Sequence, residues 1–236
     1  MTDGWTSAVR RQLGLGRLLP LGGPRDGAWI AEGAAGTVLR RAVDDVAGVR
    51  LGALRIAAVD PAGRYEPAVP PPPSALPPGP LRVTAEFAAS STEPLPTTAA
   101  RLRTALAAAA TGRLGLAVSE VDLRVTALLD EDPVPEAAQP PPEPSPVGRT
   151  QHGDEARATV AALSVAGVTR MTDVLGRAVR VEERPHPTAL PHRHARVEIA
   201  VSAGHQALDV AREVRRAVSE ALRDHPTVTV VVTAVE

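Results

Sequence analysis

The run Val-Ala-Gly-Val stands at 46–49 and again at 165–168, and Val-Thr-Ala stands at 125–127 and again at 232–234. Each pair occupies the same place in a longer series of alternating patterns. The chain therefore reads as one unit written twice. An internal repeat of this length restricts the fold more than any other feature, because each copy must bury its apolar faces alone or against its twin.

The pattern within a copy is α-β-β-α-β. Segment 34–46 reads as a helix: Val38, Leu39, Ala42, Val43 and Val46 share one face, while Arg40, Arg41, Asp44 and Asp45 form i,i+4 pairs on the other. Gly48 suits its C-cap. The second copy places a helix at about 155–165, closed by Gly167. A strand follows in each copy, with Leu54 and Ile56 matching Val179 and Val181. The next strand alternates cleanly. Leu81, Val83, Ala85 and Phe87 point one way, and Arg82, Thr84 and Glu86 the other. In the second copy Val197, Ile199 and Val201 point inward, with Arg196 and Glu198 outward, on the sheet face left to pack on the other copy or on another molecule. A helix from Pro96 to Gly112 matches one over about 206–223, and the strands Val121–Leu128 and Val228–Val235 close the copies.

The predicted fold class is α+β: two tandem units, each a three-stranded mixed sheet covered on one face by two helices. The expected division is an N-terminal extension at 1–27, a first domain at 28–129, a linker at 130–154 and a second domain at 155–236. Trp5, Val9 and Leu13 suggest a short amphipathic helix in the extension. Residues 133–146 are Pro-rich, and the surrounding 130–154 carries a net charge of −5 against +3 before it and +1 after it. Proline fixes φ and lacks the backbone donor, so this segment and the Pro-rich 69–80 are predicted extended and solvated. The first is the linker, and the second a long hairpin connection.

Composition excludes several chemistries. The 236 residues include no Cys, so thiolate nucleophiles, zinc–thiolate sites and disulfides are ruled out. All 26 basic residues are Arg, which rules out a Schiff-base lysine or a P-loop lysine. The aromatics are Trp5, Trp29, Tyr65 and Phe87, too few for a base-stacking surface. The second copy has none, so its core is expected from Val, Ala, Ile and Leu alone. No apolar run approaches the roughly 18–20 residues that cross a bilayer, and the N-terminus does not segregate its charge as a signal peptide does. The expected location is cytoplasmic.

Few residues suggest a site. His192 and His194 share a strand face and, with His186 or Glu183, have the donors of a zinc site. No first-copy residue matches them, and the segment reads as a polar loop entering a strand, so no metal and no cofactor are expected. Gly33–Gly36 and Gly112–Gly115 have the G-x-x-G spacing of KH modules. A helix start and a C-cap account for them better, and a KH-like nucleic-acid-binding module is the alternative reading. No G-x-S-x-G elbow is present, and no catalytic residue is assigned. The Arg of the second helices, Arg101, Arg103, Arg212, Arg215 and Arg216, form the candidate partner-binding face.

These motifs taken together resemble the alkaline-shock (general-stress envelope protein) family of Gram-positive bacteria. The resemblance lies in Trp29-Ile30-Ala31-Glu32, the helix closing on Val46-Ala47-Gly48-Val49, the strand Leu81 to Phe87, and the helix and strand that follow. It covers about 28–129 and, more loosely, 155–236, as in a divergent, duplicated actinobacterial relative. The Tyr-Gly turn usual in the family is replaced by Ala88 to Leu95 and by Ala203-Gly204-His205. The resemblance implies a non-enzymatic protein of the envelope stress response. It also implies self-association and attachment at the inner membrane face through a membrane-anchored partner.

Overall fold

The computed structural model describes residues 16–63, 65–129, 153–184 and 192–236. The extension helix at Trp5–Leu13, most of the 130–154 linker and His186 lie outside the described residues. The chain opens with β1 (Leu18–Leu21) and β2 (Ala28–Ala31), then α1 (Glu32–Asp44), β3 (Val49–Ala58) and β4 (Leu81–Ser90). Helix α2 (Leu95–Ala108) ends in a π turn (Ala109–Leu114) and leads to β5 (Val118–Leu129). The second half holds α3 (Asp154–Leu163), β6 (Val168–Met171), β7 (Val179–Arg184), β8 (His192–Val201), α4 (Ala207–Ala221) and β9 (Thr227–Val235). The described residues form a mixed α+β fold with four α-helices and two mixed sheets.

The smaller sheet runs β3-β4-β5, with β3 antiparallel and β5 parallel to β4. In the larger sheet β6 and β7 lie end to end along β8, both antiparallel to it, and β9 is parallel to β8 on its other side. Val49 pairs with Ala89 and Ile56 with Val83; likewise Val168 pairs with Val201 and Val181 with Ala195. Both parallel ladders slip by one residue at the same place, between Phe87 and Ala88 and between Ile199 and Ala200. The extra residues are Thr126 and Thr233, the middle letters of the two Val-Thr-Ala runs. Each donates its hydroxyl to the carbonyl across the bulge, Thr126 to Phe87 (3.2 Å) and Thr233 to Ile199 (3.4 Å). The repeated triplet thus marks a β-bulge, where a residue left over by the ladder supplies its own hydrogen bond.

The larger sheet departs from the predicted three strands. It has six, in the order β1-β2-β9-β8 with β6 and β7 beyond. Strand β2 lies parallel to β9, Ala28 opposite Val230 and Ile30 opposite Val232. The cause is local and apolar. Leu18, Leu19, Leu21, Trp29 and Ile30 make a hairpin that cannot stay in water, and β9 offers a Val-rich edge. The N-terminal half thus lends its hairpin to the second sheet. The expectation of a second core without aromatics is corrected by the same fact, since Trp29 is 1% exposed and sits opposite Val231.

The Pro-rich 69–80 segment is not a free solvated loop. It does connect β3 to β4, but Val69, Pro72 and Pro78 are buried. Pro70 O accepts from Thr229 Oγ1 (2.9 Å), and Leu76 O accepts from Trp29 Nε1 (3.2 Å). It straps the outer face of the larger sheet. Glu198 points outward as expected, yet it is fully buried on that face, where the loop between β6 and β7 covers it through the Leu175 N–H (2.9 Å). Arg196 beside it is half-buried.

One core spans both halves. Helix α1 continues straight out of β2 and packs on β9 as well as on β3. The π turn closes on Gly115, whose φ is +80°, and the place of its missing Cβ is already filled by Leu208 Cβ on α4. Only glycine permits both that backbone and that approach. Gln206 Nε2 donates to Thr111 O and Gly112 O at the same junction.

Candidate functional site

Strand edges are where a sheet recruits other chains, so each edge and its cover is informative. The β1 edge is closed by the strap: Leu18 N–H donates to Ser74 O (3.3 Å) and Leu18 O accepts from Leu76 N–H (2.8 Å). The β3 edge is closed by an ion pair. Arg17 and Glu32 bridge at 3.2 Å, Arg17 donates to Ile56 O (2.5 Å), and Ile56 N–H donates to Glu32 (3.4 Å). Burial pushes the Glu32 carboxyl up, but the Arg17 and Ile56 bonds outweigh it and hold the group below the usual carboxylate range. A bulge between Leu51 and Leu54 and the bond from Arg40 to Gly52 O further disrupt that edge.

Strand β5 differs. It is the longest strand described, at 12 residues, and among the described residues no strand pairs with its outer edge. Among the described residues one side-chain hydrogen bond reaches that edge: Arg103 Nε donates to Val121 O at 3.3 Å. The corresponding bond in the other sheet is Arg215 Nε to Val228 O at 2.9 Å. There the guanidinium goes on to grip the carbonyls of Arg25 (3.0 Å) and Asp26 (2.5 Å), in the turn that feeds β2 onto β9. The same arginine on the same strand therefore holds an added strand in one sheet and stands beside an open edge in the other. Val125 and Leu128 on β5 are 40% and 60% exposed, whereas Val232, the counterpart of Val125, is fully buried beside β2.

The five predicted Arg do not form one face with one role. Arg215 is half-buried and structural, and burial pushes its pKa down. Arg212 pairs with Asp26 (2.8 Å) and Asp209 (3.3 Å), so it also serves the β1–β2 turn. Burial pushes the Asp26 carboxyl up, yet the bonds from Arg212 and Gly23 N–H bring it below its ordinary value. Arg101 ties Glu93 (2.6 Å) to Ala47 O (3.2 Å) and fastens the β4–α2 connection onto the end of α1. Its shallow polar cleft is internally satisfied, with Thr98 on Glu93 (2.8 Å) and Ser90 on Thr92 (3.0 Å). Arg216 makes solvated pairs along α4 with Glu213 and Glu220. Arg103 is exposed at the open edge. Sequence reasoning placed all five on polar helix faces but had no signal for the backbone partners of Arg101, Arg103 and Arg215, which lie up to 190 residues away.

The remaining candidates resolve geometrically. His192 and His194 do share a face of β8, opposite Arg184 and Glu182. His194 is 4% exposed and its Nδ1 meets Thr227 Oγ1 at 2.9 Å. Burial pushes its pKa down to about 4, Arg184, His192 and Arg196 add to this, and Glu182 opposes it. Among the described residues no three His, Asp or Glu are grouped to hold a metal ion. Burial pushes Glu198 up to about 7, against the Leu175 and Val174 N–H bonds and Arg196 at 3.4 Å. Gly33 and Gly36 lie inside α1, and Gly112 lies in the π turn, so neither G-x-x-G stretch is a free glycine loop. Among the described residues no helix is long and apolar enough to cross a membrane.

No family model, curated protein or solved structure matches the chain.

Proposed function

We propose that the chain is a non-enzymatic cytoplasmic interaction protein of the alkaline-shock kind. It is built from two tandem α-β-β-α-β units joined by the acidic Pro-rich linker, and it acts by self-association and by binding protein partners near the cell envelope. The observation that carries this reading is the open β5 edge, in a molecule whose β1 and β3 edges are closed by specific side chains or by the strap. The matching registers and the two Thr bulges support the tandem origin. Polar groups that could do chemistry are engaged structurally: His194 with Thr227, Glu198 with Leu175, Ser90 with Thr92.

The test is affinity purification of the tagged full chain from its native host, alongside sedimentation velocity of the purified protein. Retrieval of envelope or membrane-anchored proteins together with a mass above 24.5 kDa is expected. A strictly monomeric chain that retrieves no such protein overturns the proposal.

A further inference from the structure

The proposed self-association leaves its surface unspecified, and the β5 edge supplies one. Val121 O points out of the sheet toward Arg103. Backbone groups repeat their direction every second residue along a strand, so those of Leu123 and Val125 face the same open side. On β9 the equivalent positions, Val230 and Val232, are those that face β2. Arg215 makes the same bond to Val228 O just beyond the Ala28–Val230 end of the seated strand, so the guanidinium stands at the margin of the slot, and Val121 O keeps a second lone pair for a partner N–H.

Side chains on β5 select the occupant. On the face away from the helices Asp122 and Arg124 flank Leu123, both exposed, with side chains 61% and 77% accessible. On the helix side Val121, Leu123 and Val125 follow one another. A two-fold axis through Leu123 sets each Asp122 opposite the partner's Arg124 and each Val121 opposite the partner's Val125. A shift of two residues one way sets Arg124 against the partner's Arg124, and the other way Asp122 against the partner's Asp122. Opposite charges across an antiparallel pair stabilise it and like charges destabilise it.

We propose that β5 is the pairing edge of a two-fold dimer of this chain, antiparallel β5 to β5 and centred on Leu123, which joins two three-stranded sheets into one of six strands. It rests on the self-association reading above and adds the surface and the register. The β1 and β3 edges are closed, and the remaining edge is split between the short strands β6 (4 residues) and β7 (6 residues), so among the described residues β5 offers the longest continuous slot.

The experiment uses the full chain with two charge variants, Asp122→Arg and Arg124→Asp. Each alone sets like charges together at both flanks of the axis and raises the dimer dissociation constant by about a hundredfold. Mixed, they regain both opposite-charge pairs and form a 1:1 heterodimer, read by sedimentation velocity at twice the 24.5 kDa chain mass. A third variant, Val125→Pro, removes an outward N–H without touching the β4 ladder and yields a monomer. Near-UV circular dichroism confirms that each variant is folded. A wild-type dimer that survives all three substitutions, or a mixture that stays monomeric, overturns this interface while self-association stands. A wild-type chain that is monomeric at all concentrations overturns both.

Discussion

Replacing Arg215 by Met keeps the aliphatic stem and removes the guanidinium that bridges β9 to the β1–β2 turn. Three hydrogen bonds are lost, to Val228 O, Arg25 O and Asp26 O. The Arg25 bond is exposed, and water replaces it at little cost. The other two are partly buried, and a bond from a charged donor is worth about 1.5 kcal/mol or more each. The expected loss is therefore about 3 kcal/mol. Arg103→Met, at the corresponding place on β5, removes one exposed bond and is expected to cost under about 0.5 kcal/mol. Urea unfolding at equal protein concentration measures both. With a slope of about 2 kcal/mol per M, Arg215→Met lowers the midpoint by about 1.5 M and Arg103→Met by less than about 0.3 M. Equal shifts would refute the reasoning, because they would mean that the hairpin held by Arg215 contributes nothing to the stability of the second sheet.

Three further outcomes are expected. His194 has a folded pKa of about 4, below the ordinary 6.5, so its contribution is complete above 6.5 and is lost as pH falls toward 4. Glu198 has a folded pKa of about 7, above 4.5, so its contribution is complete below 4.5 and is lost as pH rises through 7. The two slopes oppose each other, so the contributions of His194 and Glu198 are expected to nearly cancel between pH 5 and 6.5. Glu198→Gln removes one slope, and its stability should rise by about 3 kcal/mol from pH 4.5 to 7 in urea titrations, whereas a profile parallel to wild type contradicts the assignment. Gly115→Ala meets both a positive φ and the Leu208 side chain, and differential scanning calorimetry should record a loss of about 2–4 kcal/mol. A fragment of residues 153–236 lacks β1 and β2 and exposes Val230, Val231 and Val232 at its edge. It should bind ANS and unfold without a cooperative transition, and a sharp two-state melt of that fragment would count against the shared sheet.

How legible each part was depended on the range of the forces behind it. Both helices of each copy and the strands that alternate could be read from the sequence, because periods of 3.6 and 2 arise within one element from a single buried face. The Val-Thr-Ala triplets were visible as a repeat, but not as bulges, since a bulge is a property of two paired strands. The five Arg were correctly placed on their helices. The roles of Arg101, Arg103 and Arg215 were not legible, because each is set by which backbone carbonyl lies beyond the helix.

The amino-acid sequence by itself determined the α+β class, the helices α1 to α4, the strands β3, β4, β5, β7, β8 and β9, and the exclusion of cysteine and lysine chemistry, but not the strands β1, β2 and β6. Only the tertiary structure decided that β2 completes the second sheet, that Trp29 fills its core, and that Glu198 is buried while the corresponding Glu86 keeps its side chain 39% accessible on the other sheet. Local pattern says which face of a strand avoids water. It does not say which distant segment will cover that face or pair with that edge, because the choice among several apolar segments rests on shape and on hydrogen bonds that form only once the chain has closed on itself.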